Sequence, residues 1–259
     1  MITKNQVKYI QSLGQKKSRD AENRFVAEGP KLVNELLQAE NCRIVQLYAL
    51  KEWIDNNPIT IDQTEIIRVS EDELKKISQL TTPNQVLAII EKIQWENDPE
   101  IKGNISLALD SIQDPGNMGT IIRLADWFGI RNIFCSFDCA DAYNPKVVQA
   151  SMGSIARVRI DHTDLSSLLK NNNDLHIYAA VLDGRDVTKM EKINEGVIVI
   201  GNESKGINEE ILKLSNVQIT IPGKGKAESL NAAIATGIIL SHLCCWFLVT
   251  CYWLGSPII

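Results

Sequence analysis

Three glycine- and asparagine-rich turns carry the side chains of this sequence that could do chemistry. Each turn follows an apolar run with the length and composition of a buried strand. The first turn leads through Asn117 to Arg123, the second carries Glu203, and the third carries Ser229 and Asn231. In an open α/β sheet such turns gather at the carboxyl ends of the strands, where ligands bind. The pattern therefore predicts one ligand site built from a guanidinium, a carboxylate, amides and a hydroxyl.

Two common nucleotide-binding motifs do not occur in the sequence. The lysine-containing segment 223–226 does not fit a Walker A loop, because no Gly-x-x-x-x-Gly-Lys-Ser/Thr is present. No Gly-x-Gly-x-x-Gly follows a predicted strand, which argues against a nicotinamide or flavin cofactor. Lys224 and Lys226 therefore either contact a phosphate of a larger ligand or belong to a solvated loop.

The elements that must position these turns alternate between strand and helix after residue 104, which predicts a parallel α/β sheet. Asn117 and Asn231 each enter a predicted helix, so either could be its N-cap. Arg123 lies six residues after Asn117, about two turns into that helix. The predicted strands are Ile105–Leu109, Asn132–Cys135, Ala156–Ile160, His176–Val181, Val197–Ile200 and Val217–Thr220.

A smaller α/β unit precedes this sheet. Residues 1–24 are predicted to form a short amphipathic helix and a basic connector. The polar segment 94–104, with Asn97-Asp98-Pro99, is interpreted as a linker. The predicted domains are therefore 1–93 and 105–259. The smaller domain should hold strands at 24–29, 44–49, 65–69 and 86–90, a helix at 30–38, and a helix from the Ser70/Glu73 capping box to about residue 80.

The formal charge of −5 excludes a protein that is positive over its whole surface. Binding to a polyanion would need local basic clusters, and residues 1–31 contain seven basic and three acidic side chains. A solvated, partly disordered arm is the alternative explanation of this segment. The candidate phosphate contacts here are Lys16, Lys17, Arg19, Arg24 and Lys31.

The six cysteines form no Cys-x-x-Cys pair and have no companion histidine cluster, so neither a zinc site nor a disulfide framework is expected. We predict no metal. The polar N-terminal residues 1–13 do not resemble a signal peptide, which makes the cytoplasm the expected location.

The C-terminal residues 229–259 contain no Asp, Glu, Lys or Arg. By length and polarity this segment could cross a membrane, but Asn231, Thr236, Ser241 and His242 interrupt its first half. We favour a buried helix that runs into a dimer interface, with a membrane anchor as the alternative.

The three turns, at 114–123, 199–206 and 221–233, resemble the motifs of the SpoU (TrmH) family of RNA ribose 2′-O-methyltransferases, within the SPOUT superfamily. The order Asn-x-Gly-x-x-x-Arg, Gly-Asn-Glu and Ile-Pro…Ser-Leu-Asn is similar in residue type and spacing. The resemblance covers residues 106–240 strongly and residues 24–91 more weakly, as a substrate-binding domain. It implies a parallel sheet with a C-terminal trefoil knot, a homodimer and S-adenosylmethionine as cofactor.

The resemblance also implies roles for single residues. It places Arg123 at the ribose or its phosphate, and because a guanidinium is a poor base, orientation of a phosphate is the safer role. An ordinary pair with Asp126 is the alternative. By the same resemblance Glu203 lies near Arg123 at the site opening, while Ser229 and Asn231 lie near the transfer centre.

The cofactor positions implied by the resemblance are Gly201, Ile221 and Leu230. Gly201 would allow close approach, and the two aliphatic side chains would cover the adenine. Ser151-Met152-Gly153 more weakly resembles a segment of the catalytic side.

The resemblance implies RNA as partner, with ribosomal RNA favoured over transfer RNA and sequence selection assigned to residues 1–93. Lys224 and Lys226 would face RNA phosphate, and Glu28-Gly29 would form a turn at the RNA face. A transfer-RNA ribose methyltransferase and a non-catalytic RNA-binding protein are the alternatives.

Overall fold

The protein is described from a computed structural model, which covers residues 2–57 and 64–244. Contacts divide it into two compact units. The first unit contains the described residues up to Asp98, together with Asp114–Arg123 and Ala140–Arg159. The second unit contains Pro99–Gln113, Leu124–Cys139 and the described residues from Ile160 onward. The part of the predicted apolar tail beyond residue 244 lies outside the described residues.

A four-stranded sheet lies in the first unit, in the order β1-β4-β2-β3. Strand β4 pairs antiparallel with β1 and β2, and β2 pairs parallel with β3. The strands lie within one residue of their predicted bounds, because each is a short apolar run ended by turn residues. They are β1 Arg24–Glu28, β2 Ile44–Ala49, β3 Glu65–Arg68 and β4 Val86–Glu91.

Helices flank this sheet. The predicted capping box of Ser70 and Glu73 starts α5, and a second box, Thr3 with Gln6, starts α1. The predicted basic connector is wrong, because residues 16–22 form α2. Ile10 and Leu13 are buried in one cluster with residues of the sheet, so the N-terminal segment is part of the core. The helices are α1 Lys4–Ser12, α2 Lys16–Glu22, α3 Pro30–Leu37, α4 Lys51–Asn56 and α5 Glu71–Ile77.

A six-stranded sheet lies in the second unit, in the order β10-β8-β9-β5-β6-β7. The pairs β10–β8, β8–β9, β9–β5 and β5–β6 are parallel, which confirms the predicted parallel α/β sheet. Central β9 is buried along its whole length, as its unbroken apolar sequence predicts. The strands are β5 Ile105–Leu109, β6 Asn132–Cys135, β7 Arg159–His162, β8 Ile177–Asp186, β9 Gly196–Ile200 and β10 Val217–Thr220.

Strand β7 begins three residues later than predicted. Met152 and Gly153 both have positive φ, 51° and 90°, and Ser154–Ala156 then form a 3₁₀ turn. The apolar residues around Ile155 are buried in that turn, so their apolar character did not indicate a strand. Strand β8 extends five residues beyond its predicted end at Val181, to Asp186, and pairs with β10 through a register shift. The trefoil knot stays a prediction.

Helices follow the strands of this second half of the chain. Helix α10 is apolar around its circumference, and its end is held by the Ile193 N–H, which donates to the Leu243 carbonyl at 2.9 Å. Among residues 2–57 and 64–244, no helix has the length and apolarity needed to cross a bilayer. The helices are α6 Pro115–Trp127, α7 Pro145–Ser151, α8 Leu165–Asn171, α9 Glu209–Leu214 and α10 Ala232–Leu243.

Candidate functional site

The turn after β9 is closed by its own backbone. Asn202 and Gly206 exchange two backbone hydrogen bonds of 3.1 and 2.9 Å. A Cβ on Gly201 would lie 2.5 Å from the carbonyl carbon of Gly206, so the tight turn itself requires glycine. This packing constraint, rather than room for a ligand, explains the residue type, and the cofactor role of Gly201 stays a prediction.

The Asn202 side chain ties this turn to the end of β5. Its Oδ1 accepts hydrogen bonds from the Ser204 and Lys205 backbone N–H groups at 2.9 and 3.1 Å. Its Nδ2 donates to the Ser111 carbonyl at 2.9 Å. The segment that carries Glu203 is therefore held from inside the turn and from the neighbouring strand.

Ser111 is itself held in an uncommon backbone conformation, with φ of 60°. Its N–H donates to Ser136 Oγ at 2.8 Å, and its hydroxyl donates to Asp138 Oδ2 at 2.6 Å. The Ser136 hydroxyl donates to Asp138 Oδ1, also at 2.6 Å. Hydrogen bonds from Ser111 and then Ser136 lower the pKa of Asp138. We call Ser111, Ser136, Asp138 and Asn202 the strand-end network.

The residues of the strand-end network were not predicted from the sequence. Its signal was available, since polar side chains directly follow the predicted strands β5 and β6, but only the pairing of β9, β5 and β6 as neighbours makes them one group. Asp110, also after β5, accepts a hydrogen bond from the Asn208 N–H at 2.6 Å and so holds the start of α9.

Glu203 and Asn231 meet at the start of α10. Glu203 is half-buried, and its Oε1 accepts a hydrogen bond from the Ala232 N–H at 3.3 Å. Asn231 Oδ1 accepts from the Ala233 and Ile234 N–H groups at 3.0 and 3.2 Å, which confirms the predicted N-cap. A carboxylate at a helix N-terminus is also electrostatically favourable. Two of the three predicted motifs are thus joined by direct contact.

The loop from Ile221 to Asn231 is open to solvent. Ser229, Lys224 and Lys226 are exposed, and Leu230 keeps 43% of its surface exposed. This loop presents backbone amides and aliphatic side chains beside the Glu203 contact. Such groups suit the adenosine part of a nucleoside cofactor, which needs hydrogen bonds at its edge and apolar contact on its faces.

Helix α6 starts earlier than predicted. Pro115 is its first residue, and Asp114 Oδ1 accepts a hydrogen bond from the Asn117 N–H at 2.8 Å. The prediction of Asn117 as N-cap is therefore wrong, because Asp114 is the cap and Pro115 fills the first position, where no N–H is needed. Asn117 lies in the first turn, half-buried.

Arg123 lies on the exposed face of α6. Gly116, Thr120, Arg123 and Trp127 follow one another at spacings of four, three and four residues, and all are exposed. Trp127 keeps 75% of its surface exposed. Arg123 thus lies about two turns into the helix, as predicted, and the structure shows that it is exposed to solvent.

The side of α6 next to this exposed face packs closely on α7. A Cβ on Gly119 would lie 2.5 Å from the Ala150 Cβ and 2.7 Å from the Val147 carbonyl oxygen. Ser151, in the segment that more weakly resembled a family motif, is buried and donates its hydroxyl to the Val148 carbonyl at 2.8 Å. Gly119 therefore sets the distance between these helices.

The basic residues that were predicted to contact RNA phosphates differ in how deeply they are buried. Arg19 is 1% exposed, and its guanidinium donates to Asp141 Oδ2 and to the Leu13 and Gly14 carbonyls. A phosphate contact does not fit this environment, so we remove Arg19 from the RNA-binding candidates. Arg24 is half-buried and donates to the Tyr9 hydroxyl at 3.0 Å.

The lysines among these candidates remain accessible. Lys17 and Lys31 are exposed, and Lys16 is exposed while pairing with Asp20 at 3.1 Å. Exposed ion pairs of this kind contribute little to stability, so Lys16 is free to exchange its partner.

Comparison with known proteins agrees with this arrangement. A model of the SpoU rRNA Methylase family matches residues 104–241, and a model of the MRM3-like substrate binding domain matches residues 4–88. The 23S rRNA (guanosine(2553)-2′-O)-methyltransferase RlmP of Bacillus subtilis is 31% identical over 250 residues, which are 93% of this chain and 96% of that protein.

Solved structures give the same result over both units. A protein assigned to the TrmH family of RNA methyltransferases, from Porphyromonas gingivalis, matches with a TM-score of 0.82 at 37% identity, covering 93% of this chain and 98% of that one. The AdoMet-bound rRNA methyltransferase from Sinorhizobium meliloti matches with a TM-score of 0.81 at 31% identity, covering 93% and 95%. The chain therefore belongs to the SpoU rRNA methylase family, and it is an RNA methyltransferase.

Proposed function

We propose that this enzyme transfers the methyl group of S-adenosylmethionine to the 2′-hydroxyl of a ribose in structured ribosomal RNA. The observation that carries the proposal is the contact between Glu203 and the start of α10, which joins two motif segments inside the family domain at residues 104–241. Orientation and preorganised polar groups can supply most of the rate enhancement, because the donor is already reactive.

S-adenosylmethionine, when bound, supplies an electrophilic methyl group. Ile221 and Leu230 would hold its adenosine part by apolar contact, and the backbone of the loop 221–231 and of Gly201 would hydrogen-bond to its edges. The strand-end network and the Asn231 cap keep the two supporting segments rigid, which favours binding without reorganisation. Ser229, exposed beside Leu230, is the candidate hydroxyl at the transfer centre.

Arg123 would bind and orient the RNA backbone. Its exposed position on α6 leaves the guanidinium accessible to a phosphate, which it can hold by two parallel hydrogen bonds. Thr120 and Gly116 on the same exposed face leave space for a backbone to approach. Asn117 would order the turn that leads into this helix.

Ribosomal RNA is favoured over transfer RNA as the substrate. The support is that the similar protein of Bacillus subtilis acts on 23S rRNA and that residues 4–88 match an MRM3-like substrate binding domain. Lys17, Lys31, Lys224 and Lys226 are the exposed basic candidates for its phosphates.

The test is transfer of labelled methyl groups to ribosomal and transfer RNA from cells that lack the protein. We expect incorporation into ribosomal RNA at one ribose, mapped by resistance to alkaline cleavage. Arg123→Ala should lower kcat/KM about 10- to 100-fold, the effect of losing one hydrogen bond to a charged group, while cofactor binding is kept. Arg131→Ala, at an exposed arginine immediately before β6, is the matched control.

Three outcomes would contradict the proposal. Incorporation into transfer RNA alone would favour the transfer-RNA enzyme. Cofactor that fails to bind would favour a non-catalytic RNA-binding protein. An Arg123→Ala enzyme as active as the wild type would remove Arg123 from the site.

We further propose that the enzyme is a cytoplasmic homodimer. In support of the dimer, several large apolar side chains of the second unit are exposed, with exposed fractions of 43% to 78%: Trp127, Phe137, Leu182, Leu230 and Ile234. Exposed apolar surface of this kind is typical of protein contacts.

A further inference from the structure

A cleft of about 280 Å³ opens in the first unit, where the end of β1, the segment after α5 and helix α7 come together. This volume lies just below the usual range for small-molecule sites, about 300–1,000 Å³. It therefore has room for one planar ring system and not for a whole nucleotide chain or a helix. Nothing in the methyl-transfer site described above uses this cleft.

The lining of the cleft is mostly apolar and includes one buried acidic residue. Val26, Leu80 and Pro145 contribute apolar surface. Glu28, which is 4% exposed, also lines the cleft. Apolar surface together with a buried polar group suits a heteroaromatic ring, which is apolar on its faces and polar at its edge.

The Glu28 carboxylate is fixed in place. Its Oε1 accepts a hydrogen bond from the Gln79 N–H at 2.8 Å, and its Oε2 accepts one from the Ser78 hydroxyl. Each carboxylate oxygen has a second lone pair, so Glu28 keeps acceptor capacity. Burial raises the pKa of Glu28, and the two hydrogen bonds oppose that rise.

The rim of the cleft provides an amide and a positive charge. Gln149 on α7 lines the cleft, and exposed Lys146, which also lines it, lies one turn earlier on the same helix. A cation at the mouth of an apolar cleft can hold the phosphate of a nucleotide whose base is inside.

Helix α7, which lines the cleft, packs on α6, the helix that carries Arg123. Ala150, which lines the cleft, is the residue that Gly119 of α6 packs against. Ala150 therefore connects the cleft, within the first unit, to the helix that carries Arg123.

We propose that the cleft binds one unstacked guanine of the substrate RNA. Single-stranded bases are recognised in this way, by contact with their faces and hydrogen bonds at their edges. Guanine fits because its N1–H and N2–H₂ groups donate side by side to a carboxylate, which only accepts. Gln149 contacts a further edge atom, and Lys146 binds the 5′ phosphate. This inference rests on the proposed RNA substrate and assigns a recognition site to it.

The experiment titrates the full-length protein with guanosine 5′-monophosphate, observed by NMR of the side-chain amides. We expect saturable shifts of the Gln149 and Gln79 amide signals, and binding about tenfold weaker for adenosine and uridine 5′-monophosphates, the discrimination expected from one two-bond contact. Lys146→Ala and Leu80→Trp, which fills the cleft, should each weaken binding severalfold. Lys76→Ala, an exposed lysine on α5, is the matched control.

Equal binding of the three nucleotides, or binding unchanged by Leu80→Trp, would overturn the inference. Glu28→Gln should remove the preference for guanine. The unfolding curve of this variant shows whether it still folds. If it does not fold, Gln149→Ala is tested in its place. Because nucleotide binding requires no methyl transfer, failure here leaves the proposed activity intact. A protein that binds guanosine monophosphate but never methylates RNA would instead refute the activity.

Discussion

Burial decides which basic side chains of the N-terminal segment can bind a polyanion. Lys16, Lys17 and Arg19 stand close together in sequence and carry the same charge. Helix α2 turns the lysines to solvent and Arg19 to the interior, where it meets Asp141, 122 residues further along. At the scale of single residues, charge indicates the possible partners, and the fold selects among them.

Arg19→Leu should destabilise the protein by about 3–5 kcal/mol, because Asp141 would keep a partly buried charge without its partner. The measurement is chemical denaturation followed by circular dichroism. Lys17→Ala, at an exposed position of the same helix, should stay within about 0.5 kcal/mol of the wild type. Equal stability of both variants would show that the buried pair contributes nothing.

A single substitution also tests the strand-end network. In Asp138→Asn the amide nitrogen cannot accept, so either the Ser111 or the Ser136 hydroxyl loses its partner. We expect S-adenosylmethionine to bind about fivefold more weakly, the effect of about one hydrogen bond. Isothermal titration measures the change, with Asp174→Asn, an exposed aspartate of the second unit, as control. An unchanged affinity would separate the network from cofactor binding.

The pKa of Asp138 also predicts a pH dependence. Because the folded-state pKa is lowered, the stabilising contribution of Asp138 is present above its unfolded value of 3.8 and is lost as the pH falls through the folded value. Asp138→Asn should therefore unfold with a shallower dependence on acid than the wild type. Parallel acid titration curves would contradict this.

At the scale of elements, two helical glycines have opposite roles. Gly119→Ala would place a Cβ 2.5 Å from Ala150 and 2.7 Å from a backbone oxygen, so α6 and α7 must separate. We expect a loss of about 1–3 kcal/mol. Gly237→Ala in α10 meets only the Leu124 methyl groups at 3.5 Å and should gain about 0.5–1 kcal/mol of helix propensity.

Chemical denaturation compares the stabilities of these two variants directly, because each replaces a glycine by an alanine inside a helix. If Gly119→Ala is as stable as Gly237→Ala, the close packing of α6 on α7 is not needed for the fold.

At the scale of the whole molecule, the contacts of the first unit affect how RNA selection can be tested. Residues before 93 contact the segment 140–159, as in the Phe25–Tyr143 ring pair at 4.8 Å and the Asn41 hydrogen bond to the Ala156 carbonyl at 2.8 Å. Removing residues 1–93 would expose that segment as well as deleting an RNA-binding surface. Point variants of the exposed lysines therefore test selection more cleanly than truncation. The domain limits stay a prediction.

The proposed dimer can be tested by one substitution on α10. Ile234 is 56% exposed on α10, and Ile234→Glu should convert a dimer to a monomer in light scattering at micromolar concentration, because a charge would be buried in the contact. Ile66→Glu, on β3, is the control with 39% exposure. A wild-type protein that is monomeric would refute the dimer.

The sequence alone determined the features that depend on neighbours in the chain. Strand lengths and apolar runs predicted the parallel sheet, and β5, β6 and β10 have their predicted bounds. The Ser70/Glu73 box and the Asn231 cap form within one helical turn, so residue spacing was enough to predict them. The order of three motifs likewise indicated the family, because motifs need only local sequence.

Tertiary structure decided the features that depend on distant partners. Arg19 is buried because Asp141 is brought to it, and Ser111 joins Asn202 and Asp138 because β9, β5 and β6 are neighbours in the sheet. Which residue caps α6 was also settled in three dimensions, since Asp114 and Asn117 are both acceptable caps by type and differ only in where the helix begins. Residue type and spacing specify what a side chain can do. They do not specify its partner, because a partner 27 to 122 residues away in the chain is chosen by packing.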